Sequence, residues 1–159
     1  MVGDTLTTAD RDLIETATTA IRERYKPGVE RTSRSVGAAL RTTAGEVYTG
    51  VSLNAATPRA SVCAEPVAVG AAITAGDLNF DTIVSVKYGS EDVPGASEPT
   101  TDDSGEAVVI SPCGVCRELI RDYDSATDAI VRDDGKVGRV VITDLLPSME
   151  WRDGGPPEP

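Results

Sequence analysis

Apolar positions along the chain switch between two periods, and the switches mark the elements. Leu13, Ile14, Ala17, Ala20 and Ile21 recur at helical spacing, Thr7 with Asp10 makes a capping box, and Lys26-Pro27-Gly28 closes the run. A helix is predicted from about Thr8 to Arg24. Ser35–Leu40 and Glu46–Leu53 flank a turn at Thr42–Gly45 and predict a hairpin, whose small residues Gly37, Ala38 and Ala39 point to something packed closely on the sheet. Cys63–Ala75 is almost entirely small or apolar, so a helix buried on most sides is expected, with Gly76 as its stop. Thr82–Tyr88 and Val108–Ile110 predict strands, Pro112–Tyr123 a helix, and Ala129–Arg132 with Val137–Ile142 two strands around Asp134-Gly135.

Between the first two of those strands lies an 18-residue stretch, residues 89–106, with six acids and no base. It reads as a solvated surface loop, with a lid as the alternative. Strands alternating with helices predict an α/β layered domain over residues 1–151. The tail 152–159, with three prolines in its last four residues, is expected to be disordered.

Composition narrows the function. Of the 159 residues, 40% are hydrophobic, enough for a core, and no apolar run approaches the roughly 18 residues of a membrane span. Met1-Val2-Gly3-Asp4 lacks the basic, apolar start of a secretion signal, so a cytoplasmic protein without a membrane partner is expected. The net charge of −11 argues against a nucleic acid polymer as partner and suits a solvated acidic surface, as in a salt-loving host. Only three bases are lysines, Lys26, Lys87 and Lys136. The chain has no histidine, which excludes Ser-His-Asp and Cys-His catalysis and every His-ligated metal. It also has no Walker loop and no dinucleotide-binding glycine fingerprint.

The chemistry concentrates in three cysteines, found in Val62-Cys63-Ala64-Glu65 and Ser111-Pro112-Cys113-Gly114-Val115-Cys116-Arg117. An odd count without an export signal argues against disulfides. Proline is tolerated in the first turn of a helix, so Pro66 places Cys63 and Glu65 at one helix start. Pro112, with Ser111 as its cap, places Cys113 and Cys116 at another. Helix N-termini favour thiolates, and two converging starts would supply three sulfur ligands for tetrahedral Zn²⁺. Three protein ligands leave a fourth position for water, the arrangement of a catalytic site. A closed structural site and scattered buried thiols are the alternatives. Three thiolates leave the ion with net negative charge, for which Arg117 and the helix dipoles are the candidate compensation. Glu65, next but one to Cys63, could carry a proton without binding metal.

Cys63-Ala64-Glu65 followed by Pro112-Cys113-x-x-Cys116 resembles the signature of the zinc-dependent cytidine deaminases, small tetrameric enzymes, and within them the blasticidin S deaminases. Val36-Gly37-Ala38-Ala39-Leu40, Thr49-Gly50-Val51 and Asp144-Leu145-Leu146-Pro147-Ser148 support the likeness, which runs from the first helix to about Trp151. The resemblance implies a three-layer α/β/α sandwich around a five-stranded mixed sheet, one zinc per subunit, and a homotetramer whose subunits complete one another's sites. It implies water, activated at the metal, adding to C4 of a pyrimidine while Glu65 protonates N3 and then the leaving amine. It further implies that the Ala64 N–H holds O2 and the Ser111 carbonyl accepts from the amino group.

Three departures from the cytidine deaminase pattern stand out. Ser52 and Asn54 stand where two ribose contacts, one a carboxylate, are expected; Pro66 replaces an arginine; and Arg34 replaces an aromatic that stacks on the base. The first two departures are shared with blasticidin S deaminases. The expected substrate is a free cytosine nucleoside, cytidine, deoxycytidine or an analogue such as blasticidin S, in pyrimidine salvage or antibiotic resistance. A free base or other amino-heterocycle, or a non-catalytic zinc-stabilised binding protein, are the rival readings.

Overall fold

Capping decides where the first helix starts. In a computed structural model, which describes residues 5–24, 36–88 and 107–147, the Thr7 hydroxyl accepts from the Asp10 N–H (3.2 Å) and the Asp10 carboxylate accepts from the Thr7 N–H (3.0 Å). Helix α1 runs Thr8–Arg22 and buries Leu13, Ile14, Ala17 and Ile21 against the sheet. The hairpin follows as β1 (Val36–Thr42) and β2 (Val47–Val51), then α2 (Ala64–Ala75), whose C-cap Gly76 takes the left-handed conformation at φ 93°. The rest is β3 (Phe80–Tyr88), β4 (Ala107–Ile110), α3 (Gly114–Tyr123), β5 (Asp128–Asp133) and β6 (Lys136–Val141), with short 3-10 turns at Pro58–Ala60 and Ile142–Leu145. Arg34, Trp151, the acidic stretch 89–106 and the tail 152–159 lie outside the described residues.

The sheet holds six strands where five were expected, yet it is five lanes wide. Its order is β2-β1-β3-β5-β6, and β4 also pairs with β3. β1 occupies one edge of β3 along most of its length. On the other edge β5 pairs in parallel with Thr82–Val84, and β4 pairs antiparallel with Ser85–Tyr88. The two short strands share one lane, and α3 leaves from the end of β4 where they meet.

Side-chain alternation sends successive strand residues to opposite faces. Ala38, Leu40, Ile83, Ala129 and Val131 pack with Ala68, Val69 and Ala72 of α2 and Ile120 of α3. Ala39, Val84, Val86 and Ile130 pack with Leu13, Ile14, Ala17 and Ile21 of α1. Two cores on one sheet make the three-layer α/β/α sandwich.

Two glycines set how closely the outer layers approach. A Cβ on Gly37 would collide with the Ala17 carbonyl oxygen, and one on Gly50 with the Ala64 carbonyl oxygen and the Ala68 amide nitrogen. Gly50 therefore lets the first turn of α2 rest directly on β2. The far end of α2 is held to the same strand by the Tyr48 hydroxyl, which donates to the Asp77 carboxylate. That bond, with burial and the charges of Asp77 and Glu46 behind it, pushes Tyr48 up to about 12.

At one end of the sheet a charged network ties five elements together. Asp10 is fully buried and receives Arg41 (3.0 Å) and Arg139 (3.4 Å); Arg41 also pairs with Asp81 (2.7 Å), and Arg139 with Asp128 (2.5 Å). Burial works to raise the Asp10 carboxyl. The Thr7 N–H and the two guanidinium groups outweigh it and hold the carboxyl below its ordinary value.

Candidate active site

Helices α2 and α3 begin in the same way. Cys63 caps α2 at φ −65°, ψ 163° and Cys113 caps α3 at φ −68°, ψ 165°, so each chain enters its helix from extended backbone with a thiol at the mouth. Cys116 sits inside the first turn of α3 and is buried. Pro66 lies in the first turn of α2 as expected, but Pro112 lies outside α3. The expected cap at Ser111 is corrected to Cys113, because proline holds its neighbour extended and the Ser111 hydroxyl donates instead to the Arg132 carbonyl (3.1 Å).

The two helix starts converge. The Cys63 and Cys113 sulfurs are 3.9 Å apart and those of Cys113 and Cys116 3.5 Å, with all three inside 4.8 Å of one another. Tetrahedral zinc with Zn–S bonds of about 2.3 Å separates its sulfurs by about 3.8 Å, so this donor set fits the ion. Burial pushes the Cys63 and Cys116 thiols up, with the charges of Cys113 and Glu65 next in weight respectively. At Cys113 burial also acts to raise the thiol, but the Cys116 N–H and the neighbouring thiols bring it below its ordinary value. Three crowded sulfurs beside a carboxylate make a place where a cation is stabilised.

Two of those thiols, Cys63 and Cys113, border a cleft of about 250 Å³, with Cys116 buried behind them. Glu65 lines it at 4% exposure, one residue into α2, together with Ala64 and Ser111. Ser52 lines it too, its hydroxyl accepting from the Val36 N–H (3.3 Å). Asn54, expected beside Ser52, is not among the lining residues. Arg117 adjoins Cys116, but its guanidinium donates to the carbonyls of Pro112 (2.8 Å) and Leu145 (3.1 Å), fastening the start of α3 to the last 3-10 turn.

Four lining residues, Val36, Val62, Ile110 and Lys87, were missed as site residues by sequence reasoning. A signal for Lys87 existed: the period of two along β3 puts it on the face of Ile83, toward α2, while Val84 and Val86 face α1.

The chain is similar to known proteins along most of its length. The family described as "Cytidine and deoxycytidylate deaminase zinc-binding region" matches residues 7–132. A blasticidin-S deaminase from Bacillus cereus is 37% identical over 139 residues, covering 87% of this chain and 89% of that protein. The cytidine deaminase of Burkholderia pseudomallei superposes with TM-score 0.63 at 29% identity, covering 89% of this chain and 98% of that one. The cytidine deaminase of Mycobacterium leprae shares the fold with TM-score 0.65 at 23% identity, covering 90% of this chain and all of the other. Matched by that family over most of its length, 37% identical to a blasticidin-S deaminase and carrying a thiol trio that could hold a metal ion, the chain belongs to the zinc-binding cytidine and deoxycytidylate deaminases, hydrolases that act on C–N bonds.

Proposed function

We propose that the protein hydrolyses the 4-amino group of cytosine in a free nucleoside or nucleoside analogue, and that a blasticidin S-type analogue is the better fit than cytidine. The observation that carries this reading is the convergence of Cys63, Cys113 and Cys116 with buried Glu65 at one cleft. The three cysteines would hold zinc, which when bound supplies a water acidic enough to give up a proton near neutral pH.

The remaining chemistry belongs to the chain. Glu65 accepts the proton lost by water and delivers it to N3 as oxygen adds to C4. It then carries the proton of the new hydroxyl to the amine. The C4–N bond breaks, ammonia leaves, and C4 becomes a carbonyl, so cytosine and water give uracil and ammonia. The Ala64 N–H stands at the first position of α2, where no helical partner exists, and is free to donate to the pyrimidine O2. The Ser111 carbonyl would accept from the amino group and so orient it for departure. Arg117, held beside the cysteines by two carbonyls, adds positive charge to a thiolate-rich centre.

Two features support the analogue over ribose nucleosides. Ser52 and Asn54 offer no carboxylate to grip sugar hydroxyls, and the relative named above acts on blasticidin S. We take the working form to be a cytoplasmic homotetramer. In support, Val115, between the two α3 cysteines, is 76% exposed and Leu53, next to Ser52, 50%, apolar surface that a neighbouring subunit would cover.

The test is turnover of cytidine, deoxycytidine and blasticidin S by the zinc-loaded protein, followed as loss of cytosine absorbance, with Glu65→Gln alongside. Glu65→Gln should lower kcat by about 10²- to 10⁴-fold while keeping its zinc. Wild-type protein inert on all three, or a variant as active as wild type, would overturn the reading.

A further inference from the structure

We propose that Lys87 selects substrates bearing an anionic group on the sugar, an inference that rests on the deaminase reading above. Lys87 is the base among the residues lining the cleft. It projects from β3 on the face toward α2, half-buried, between Val36 of β1 and Val108 of β4. Val36 in turn donates its N–H to Ser52, so Ser52, Val36 and Lys87 stand side by side across the sheet at the cleft.

Its surroundings contrast with those of three other partly buried bases. Arg41 and Arg139 are paired with aspartates, and Arg117 is spent on two carbonyls. Among the described residues the Lys87 ammonium has no hydrogen bond or ion pair, and none joins it to Glu65 in the same cleft. In a chain of net charge −11, carboxylates to pair with it are abundant. Removing an ammonium partly from water without a partner is unfavourable unless something arriving in the cleft compensates it.

What compensates it must be negative, and must lie beside Ser52 rather than at the sulfurs. That describes a cytosine nucleoside whose sugar carries a carboxylate, as blasticidin S does, or a 5′-phosphate. Both present anionic oxygens that an ammonium meets as a point charge.

The experiment measures kcat and KM separately for cytidine, cytidine 5′-monophosphate and blasticidin S, using zinc-loaded wild type, Lys87→Met and Lys87→Arg. Methionine keeps the aliphatic stem and removes the charge. For one anionic substrate Lys87→Met should raise KM about 10- to 100-fold with kcat unchanged. Cytidine should be unaffected, and Lys87→Arg should recover most of the loss. The wild-type KM for that substrate should also rise with salt while that for cytidine does not. Which anionic compound responds identifies carboxylate or phosphate. Equal loss of kcat on all three, no change on any, or wild type active on cytidine alone would each overturn the proposal and leave deamination standing. Wild type inert on every compound would remove the deaminase reading and this proposal with it.

Discussion

Replacing Gly50 with alanine puts a methyl group where α2 already is. The new Cβ would lie 2.5 Å from the Ala68 nitrogen, 2.9 Å from the Val67 Cβ and closer still to the Ala64 carbonyl oxygen. Ordinary contacts of this kind begin at about 3.5 Å, so the first turn of α2 must retreat by about 1 Å. Two of the colliding groups are backbone and cannot swing aside. Overpacking of this sort costs about 1–3 kcal/mol, or about 2–12 °C in Tm for a chain of this length. The retreat moves Cys63, Ala64 and Glu65 together, and so changes their place relative to Cys113 and Cys116 at the start of the other helix. A displacement of about 1 Å in a positioned group is worth up to about 10²-fold in rate, so kcat should fall further than the loss of stability alone explains. Gly70→Ala is the control. It lies on the exposed side of the same helix with nothing within 4 Å of its Cβ, and should gain up to about 1 kcal/mol from helix propensity. Calorimetry, zinc content and turnover on both variants decide the matter. A Gly50→Ala protein as stable and as active as wild type would refute the claim that this contact sets the site.

Two further outcomes are expected. Cys116→Ser should lose tightly held zinc in elemental analysis and melt no higher than chelator-treated wild type, because both lack the ligand that ties the two helix starts together; full zinc retention by the variant would contradict the assignment of ligands. The Asp10 carboxyl is held below its unfolded value of about 3.9, so its stabilisation is present above that pH and is lost as pH falls through the lower folded value. Asp10→Asn should flatten the acid limb of a urea-derived stability profile and cost up to about 3 kcal/mol near neutrality, where Arg41 and Arg139 lose a buried partner; an unchanged acid limb would show that the network contributes nothing.

Elements with a one-sided pattern and a local stop were legible from the residues alone. The start of α1 was visible because Thr7 and Asp10 cap it within four residues, and the end of α2 because Gly76 supplies a positive φ. The shared lane of β4 and β5 was not. Alternation says that a segment is extended but not which strand lies beside it, and Ile110 and Ile130 meet the consecutive β3 residues Ser85 and Val84 from segments 20 positions apart. Pro112 misled for a related reason. A proline marks the neighbourhood of a helix start, and a place just before the cap satisfies the same constraint as a place just after it. The cysteines were legible because a thiol trio with this spacing has few other uses. Arg117 was visible as a charge, but its carbonyl partner Leu145 lies 28 positions away, and only folding brings it there.

The placement of charge on the sheet follows one division that no local pattern carries. Because β1 and β3 are antiparallel, Arg41 stands beside Thr82 at one end of the pair and Val36 beside Lys87 at the other. At the first end the charges of Arg41 and Arg139 are answered: Asp10 meets Arg139 across 129 residues of sequence, and Asp81 and Asp128 complete the network. That end holds the strands in order, and it allows the other to be left open. There two helix starts present unpaired N–H groups, thiols crowd together, and an ammonium stands with no partner among the described residues. Unanswered charge of both signs in one cleft is stable only while the rest of the sheet is held elsewhere. The Asp10 network and the chemistry of Glu65 are in this sense one design, in which rigidity at the ion-paired end makes possible a cleft whose charges are balanced only by what binds in it.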